Sequence, residues 1–215
     1  MPRLLDLLPE PVAEGLRAWR AALRDRREWE SYRRRPQVPP PHVVKVRALL
    51  DHARRFGTRV LVETGTFEGE MPRKCRTAFD RIFTVELDPG YARRAAHRLR
   101  RHRHIEVLEG DSATRLAELL GRVREPALFW LDGHYSGGGT ARGAKDTPLL
   151  EEVETIARHG VPGHVVLIDD ARCLGTGDYP TLATLDRLLR AVPGIERVEV
   201  AEDIVRATPR ERGGA

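Results

Sequence analysis

From residue 42 onward the chain alternates between two periodicities, and this alternation limits its fold more than any other feature. Short runs rich in β-branched residues are separated by stretches whose apolar positions recur with helical spacing. The spacing predicts a helix over about 42–56, the strand RVLVETG, a helix near 70–79, the strand RIFTVEL and a helix near 89–102. Strand IEVLEG, helix SATRLAELLGRV, strand ALFWLD, helix PLLEEVETIARHG, strand HVVLIDD and helix TLATLDRLLRAV follow. Two further strand candidates, IERVEVA and DIVRAT, close the series. Five strands that each lead into a helix make repeated βα units, and these require a parallel sheet. Right-handed crossovers then place helices on both faces. The last two strands are close enough to pair as a hairpin at one edge.

The segment before residue 42 reads differently. Residues 11–35 form an exposed amphipathic helix with Val12, Leu16, Trp19, Leu23 and Trp29 on one stripe. RRRPQVPPPH, residues 33–42, ends it, because four prolines make an extended linker. The expected organisation is a helix and linker over 1–41, one α/β domain over 42–208 and a disordered tail over 209–215. The apolar stripe is expected to dock on the main domain or on a second copy, as in a homodimer. No apolar run reaches the roughly 20 residues of a membrane span. MPRLLDLLPEP makes a poor signal peptide, so a cytoplasmic location is expected. Cys75 and Cys173 form no disulfide framework or metal pattern and read as reduced thiols.

The formal charge is +5, and of 37 basic residues only Lys45, Lys74 and Lys145 are lysine. Asparagine is absent altogether, which suggests a genome that avoids A/T-rich codons. The densest basic stretch, YARRAAHRLRRHRH at 91–104, reads as a solvated helix face; no nucleic-acid motif or aromatic interleaving accompanies it.

In an open α/β sheet, ligands bind beyond the carboxyl ends of the strands. The first strand ends in VETGTFEGE, which supplies Glu63, Gly65, Thr66 and Gly69. This is not G-x-G-x-x-G, since Thr66 and Phe67 stand where backbone would close on a pyrophosphate. A looser turn preceded by an acid suits a nucleoside without phosphates. Glu86 ends the second strand 21 residues after Gly65, where an acid can accept both ribose hydroxyls. After the third strand, Asp111 and Ser112 cap the next helix, meet an adenine edge, or do both.

These features together resemble a class I S-adenosylmethionine-dependent methyltransferase over about residues 42–207. The resemblance rests on E-x-G-x-x-x-G, the acid ending strand two, the G-D-S turn after strand three and the D-G-H turn after strand four. It implies a Rossmann-like doubly wound sheet of seven strands in the order 3-2-1-4-5-7-6, the last antiparallel. It also implies Glu63, Gly65 and Gly69 around the methionine part of S-adenosylmethionine, Glu86 on the ribose, and Asp111 with Ser112 near the adenine.

In that topology the strands ending at Asp132 and at Asp169-Asp170 are neighbours about 4.8 Å apart. Three carboxylates that close repel, and a divalent cation such as Mg2+ or Mn2+ removes the conflict. The arrangement resembles the metal-dependent O-methyltransferases of the catechol and macrolide-sugar types. Those proteins often carry D-G-D after strand four, where this chain has D-G-H. His134 then becomes the candidate base, alongside roles as a metal ligand or in orienting substrate. Tyr135 is a candidate wall of the substrate pocket, and the glycine-rich loop 136–147 a candidate cover for it. No lysine stands where the catechol type uses one, since Lys145 lies far along the loop.

The reaction this implies is O-methylation of a small molecule bearing vicinal hydroxyls, such as a sugar or catechol. Three other readings fit the same residues. They are a methyltransferase for RNA or another macromolecule that uses the arginine-rich helix, a nicotinamide-dependent oxidoreductase, and a non-catalytic cofactor-binding or interaction protein. The missing G-x-G-x-x-G weighs against the oxidoreductase. Asp132, Asp169 and Asp170 also fit ordinary strand-end acids, and Asp170 a cap.

Overall fold

The structure, a computed structural model, describes residues 9–133 and 147–211. The chain divides into two compact units, Met1–Lys45 and Val46–Ala215. The first contains helix α1, Glu10–Arg34, in which Val12 and Trp19 are exposed, and the start of α2, His42–Phe56. Within this unit Trp29 stacks on Tyr32 and packs with Val43 and Val44.

In the second unit the strands are β1 Val60–Thr64, β2 Arg81–Glu86, β3 Ile105–Glu109, β4 Ala127–Leu131, β5 Val165–Ile168, β6 Ile195–Ala201 and β7 Ile204–Pro209. The helices between them are α3 Glu70–Cys75, α4 Pro89–Leu99, α5 Ser112–Leu120, α6 Leu149–Arg158 and α7 Leu182–Leu189. The seven strands form one sheet in the order β3-β2-β1-β4-β5-β7-β6. The first five are parallel, and β7 runs antiparallel to both β5 and β6. The expected strand order and the antiparallel last strand are both present.

Burial explains why these runs read as unbroken apolar segments: every residue of β1, β4 and β5 is buried, as in sheets covered on both faces. Successive side chains point to opposite faces. Phe129, Leu131, Val166 and Ile168 pack with Leu116, Leu119, Val153, Ile156 and Leu185 from α5, α6 and α7. Leu128, Trp130, Val165 and Leu167 pack on the other face with Leu49 of α2, Met71 and Cys75 of α3, and Phe79. Helix starts follow local chemistry. Asp88 accepts from the N–H of Tyr91 at 2.8 Å, with Pro89 at the first helical position of α4. Thr181 accepts from the N–H of Thr184 at the start of α7.

Four predicted helices run at least three residues too long. SATRLAELLGRV ends at Leu120 and TLATLDRLLRAV at Leu189, and the two others stop for visible reasons. The helix near 70–79 stops at Cys75, because the N–H of Ala78 closes on the Cys75 carbonyl at 2.9 Å and Phe79 turns into the core. The helix near 89–102 stops at Leu99, where the N–H of His102 bonds the Leu99 carbonyl at 2.8 Å and successive turns lead into β3. Among the described residues, no helix is long and apolar enough to cross a membrane.

Candidate functional site at the carboxyl ends of the strands

The β1–α3 turn is built around a close backbone approach. Gly65 has φ +85°, and a Cβ there would lie 2.3 Å from the carbonyl oxygen of Asp132. Only glycine lets β1 and the end of β4 come this near. Gly133 is similarly confined, since a Cβ would meet Thr64 Oγ1 at 3.2 Å and Glu152 Oε1 at 3.3 Å. Gly69, the left-handed N-cap of α3, lies against Ala95 and Leu99 of α4.

Glu63 is buried and paired in register with Thr84 of β2, whose hydroxyl donates to Glu63 Oε2. Thr66, also buried, shares a hydroxyl–hydroxyl bond with the same Thr84. Burial raises the Glu63 carboxyl well above the usual carboxylate range; the Thr84 bond opposes this, and the charges of Asp132 and Glu86 reinforce it. Glu86 accepts the N–H of Phe67 at 2.6 Å on Oε2 and the N–H of Asp88 at 2.9 Å on Oε1. A carboxylate has about four lone-pair sites, so each oxygen of Glu86 keeps one for a further donor. Asp111 is exposed and caps α5 through the N–H of Ala113 at 3.3 Å, with the buried Ser112 beside it.

The chain carries the second group of acids to one place. The N–H of Asp132 bonds the Thr64 carbonyl at 3.1 Å, and that of Asp169 bonds the Leu131 carbonyl at 3.0 Å, which continues the sheet register one residue past each strand. Ligand atoms of Asp132, Asp169 and Asp170 lie within 4.8 Å of one another. Asp169 and Asp170 are buried and Asp132 half-buried. Oxygen donors of this kind match a hard divalent cation. His134, Tyr135 and loop residues 136–146 lie outside the described residues.

Several neighbours of the acids are not apparent from sequence. Arg172 Nη1 donates to Asp170 Oδ1 at 2.6 Å and also to Asp203 Oδ2, while its backbone N–H donates to Asp203 Oδ1 at 2.8 Å. Burial pulls the Arg172 guanidinium down, but the bonds and charges of Asp170 and Asp203 more than offset it and hold it above its ordinary range. Asp203 sits in the two-residue β6–β7 turn, where Glu202 and Asp203 both have positive φ. Burial pushes the Tyr179 hydroxyl up, as do the charges of Cys173, Asp170 and Asp132, so this ring shares the field of the acid cluster. Glu152, buried on α6, lies behind Gly133. Thr84 was the most findable of these, as a lone hydroxyl in the apolar run RIFTVEL.

No protein-family model and no curated protein matches the chain. Solved structures do. The O-methyltransferase TomG of Streptomyces achromogenes, solved with SAM and involved in tomaymycin synthesis, is 19% identical with a TM-score of 0.56, over 86% of this chain and 89% of its own. The fold is that of the Rossmann-like methyltransferases. An O-methyltransferase from Bacillus cereus in complex with SAH is 18% identical with a TM-score of 0.56, over 77% of this chain and 80% of its own. The SAH-bound methyltransferase PaMTH1 of Podospora anserina is 17% identical with a TM-score of 0.54, over 95% and 99%. At such identities the likeness carries the methyltransferase fold and no residue roles.

Proposed function

We propose that the protein is an S-adenosylmethionine-dependent methyltransferase that methylates a hydroxyl of a small molecule with vicinal hydroxyls, assisted by a divalent cation. The observation that carries this reading is the meeting of Asp132, Asp169 and Asp170 within 4.8 Å at the ends of two adjacent strands, next to the Gly65 turn. The donor set fits Mg2+ or Mn2+, and acidic walls without a phosphate cradle fit a nucleoside sulfonium.

When bound, the cofactor supplies a methyl group on sulfonium sulfur, and the cation lowers the pKa of a coordinated hydroxyl. In this reading Asp132, Asp169 and Asp170 hold the cation. Glu86 uses its two remaining lone-pair sites for the ribose hydroxyls. Glu63, Gly65, Thr66 and Gly69 surround the methionine portion, and Asp111 and Ser112 face the adenine. His134, two residues past Asp132, takes the acceptor proton, and Tyr135 walls the acceptor pocket. The largest contribution of the chain is alignment of acceptor oxygen, methyl and sulfur in line.

The test is a methyl-transfer screen over sugars and catechols with Mg2+, Mn2+ or EDTA. Transfer to a vicinal diol is expected with metal and lost with EDTA and in Asp169→Asn. Full-rate transfer in both EDTA and Asp169→Asn would end the metal assignment.

A further inference from the structure

The densest run of basic charge in this protein lies on one helix and the turn that follows it. Between Asp88 and Glu106 the sequence has six arginines and no acid, more positive charge than the +5 of the whole chain, so the remainder is slightly acidic. α4 explains the display. Ala92, Ala95 and Leu99 face inward, so Arg93, Arg94 and Arg98 project outward, and Arg100, Arg101 and Arg103 continue along the turn to β3. All six are exposed.

This surface also has a groove and a ring platform. An open groove of about 570 Å³ is lined by Glu68, Gly90, Arg93, Arg94, His97 and Arg98. Arg98 pairs with Glu68 at 3.1 Å, while among the described residues neither Arg93 nor Arg94 has an ion pair. The Arg94 guanidinium lies over the Tyr91 ring, 4.1 Å from its centroid. Tyr91 in turn contacts Phe67 with centroids 4.4 Å apart, and Phe67 is 48% exposed. Phe67 comes from the β1–α3 turn, far from the arginines in sequence, so only the fold brings an exposed ring beside them.

We propose that this face binds single-stranded RNA, with phosphates on the α4 arginines and a base against the Phe67–Tyr91–Arg94 layer. Guanidinium forks match phosphate oxygens, and the platform suits an unpaired base, which RNA loops and ends present. A free anion or a lipid headgroup would use the arginines and leave the rings without a partner. The proposal concerns binding and is independent of the acceptor and metal assignments above, which a methyl-transfer assay judges separately.

The experiment is fluorescence anisotropy with a labelled single-stranded RNA of about 12 nucleotides, between about 50 and about 300 mM salt. For about four neutralised phosphates, the logarithm of affinity should fall against that of salt with a slope of about −3. Arg93→Gln with Arg94→Gln should weaken binding by about tenfold and flatten the slope by about 1.4. Arg187→Gln with Arg197→Gln, at the opposite edge of the sheet, should leave it unchanged. Phe67→Ala should weaken RNA binding while leaving heparin binding as it was. The proposal is overturned by no RNA binding at the lowest salt, by equal loss in the opposite-edge variant, or by anionic lipid vesicles or heparin binding as tightly as RNA with Phe67→Ala inert.

Discussion

Burial raises the Glu63 carboxyl well above the usual carboxylate range, against the bond from Thr84. If a sulfonium cation occupies the cleft, it favours the ionised form, so binding releases a proton. The sign is then fixed: affinity for S-adenosylmethionine rises with pH between the ordinary carboxylate range and the raised value, by at most about tenfold per pH unit. S-adenosylhomocysteine, a neutral thioether, should lack this rise, and calorimetric titration of both ligands at several pH values checks it. Gly65→Ala gives a second expectation. Its Cβ would sit 2.3 Å from the Asp132 carbonyl oxygen at φ +85°, so the β1 and β4 ends must part. Loss of cofactor binding and a lower melting temperature are expected. At this scale Glu63, Gly65, Glu86 and the three aspartates could be picked out in the sequence, because each ends a strand or opens its turn. Arg172 and Asp203 could not, because their meeting depends on contact between two loops 31 residues apart.

The elements that hold the acids are the β5 loop and the β6–β7 hairpin. Besides the Arg172 bonds, the N–H of Ala171 donates to the Asp203 carbonyl at 2.9 Å, so the hairpin turn pins the chain just after Asp170. Arg172 also gives the acid cluster an internal counter-charge. Arg172→Ala should therefore lower the melting temperature of EDTA-treated protein, and Mn2+ should raise it by more in the variant than in the unaltered protein. Thermal denaturation with and without Mn2+ reads this directly, and an equal Mn2+ response in both would contradict it. Among the described residues, the type of every strand and α-helix was legible, since β-branched runs and amphipathic spacing each have one good solution. The short 3-10 turn Ala171–Cys173 after the acid pair was not expected. Element ends were less legible: α3 stops early, Ala78 closes a turn on Cys75 and Phe79 enters the core, a tertiary arrangement that local pattern does not encode.

For the whole molecule, the parallel sheet was legible once the βα units were read. Its strand order came instead from the resemblance to class I methyltransferases, and is the order the structure shows. Helices on both faces were legible from the right-handed crossovers, and the structure shows the two cores that this arrangement creates. Trp130 and Phe129 lie on opposite faces and are both fully buried. Replacing either with alanine should cost about 3–5 kcal/mol in chemical denaturation. A histidine pair at the other end of the sheet went unrecognised in the sequence. The N–H of Ala127 donates to His164 Nδ1 at 3.0 Å, and His164 Nε2 meets His159 Nδ1 at 2.9 Å. Burial, with His159 adding to it, pushes the buried His164 imidazole down to about 4. The unfolded chain takes up this proton below about pH 6.5 and the folded chain does not until about 4, so stability falls as pH drops through that window. Urea unfolding at about pH 7 and about pH 5 should differ by roughly 2 kcal/mol from this group, and His164→Gln should remove that share. The central claim is that the strand-end cleft holds S-adenosylmethionine with Glu86 on its ribose. Calorimetric titration of the intact protein and of Glu86→Ala, with melting temperature as the folding control, tests it most directly. Saturable binding that weakens at least about tenfold in the variant is expected. No binding by the intact protein, or equal binding by a folded variant, would contradict it.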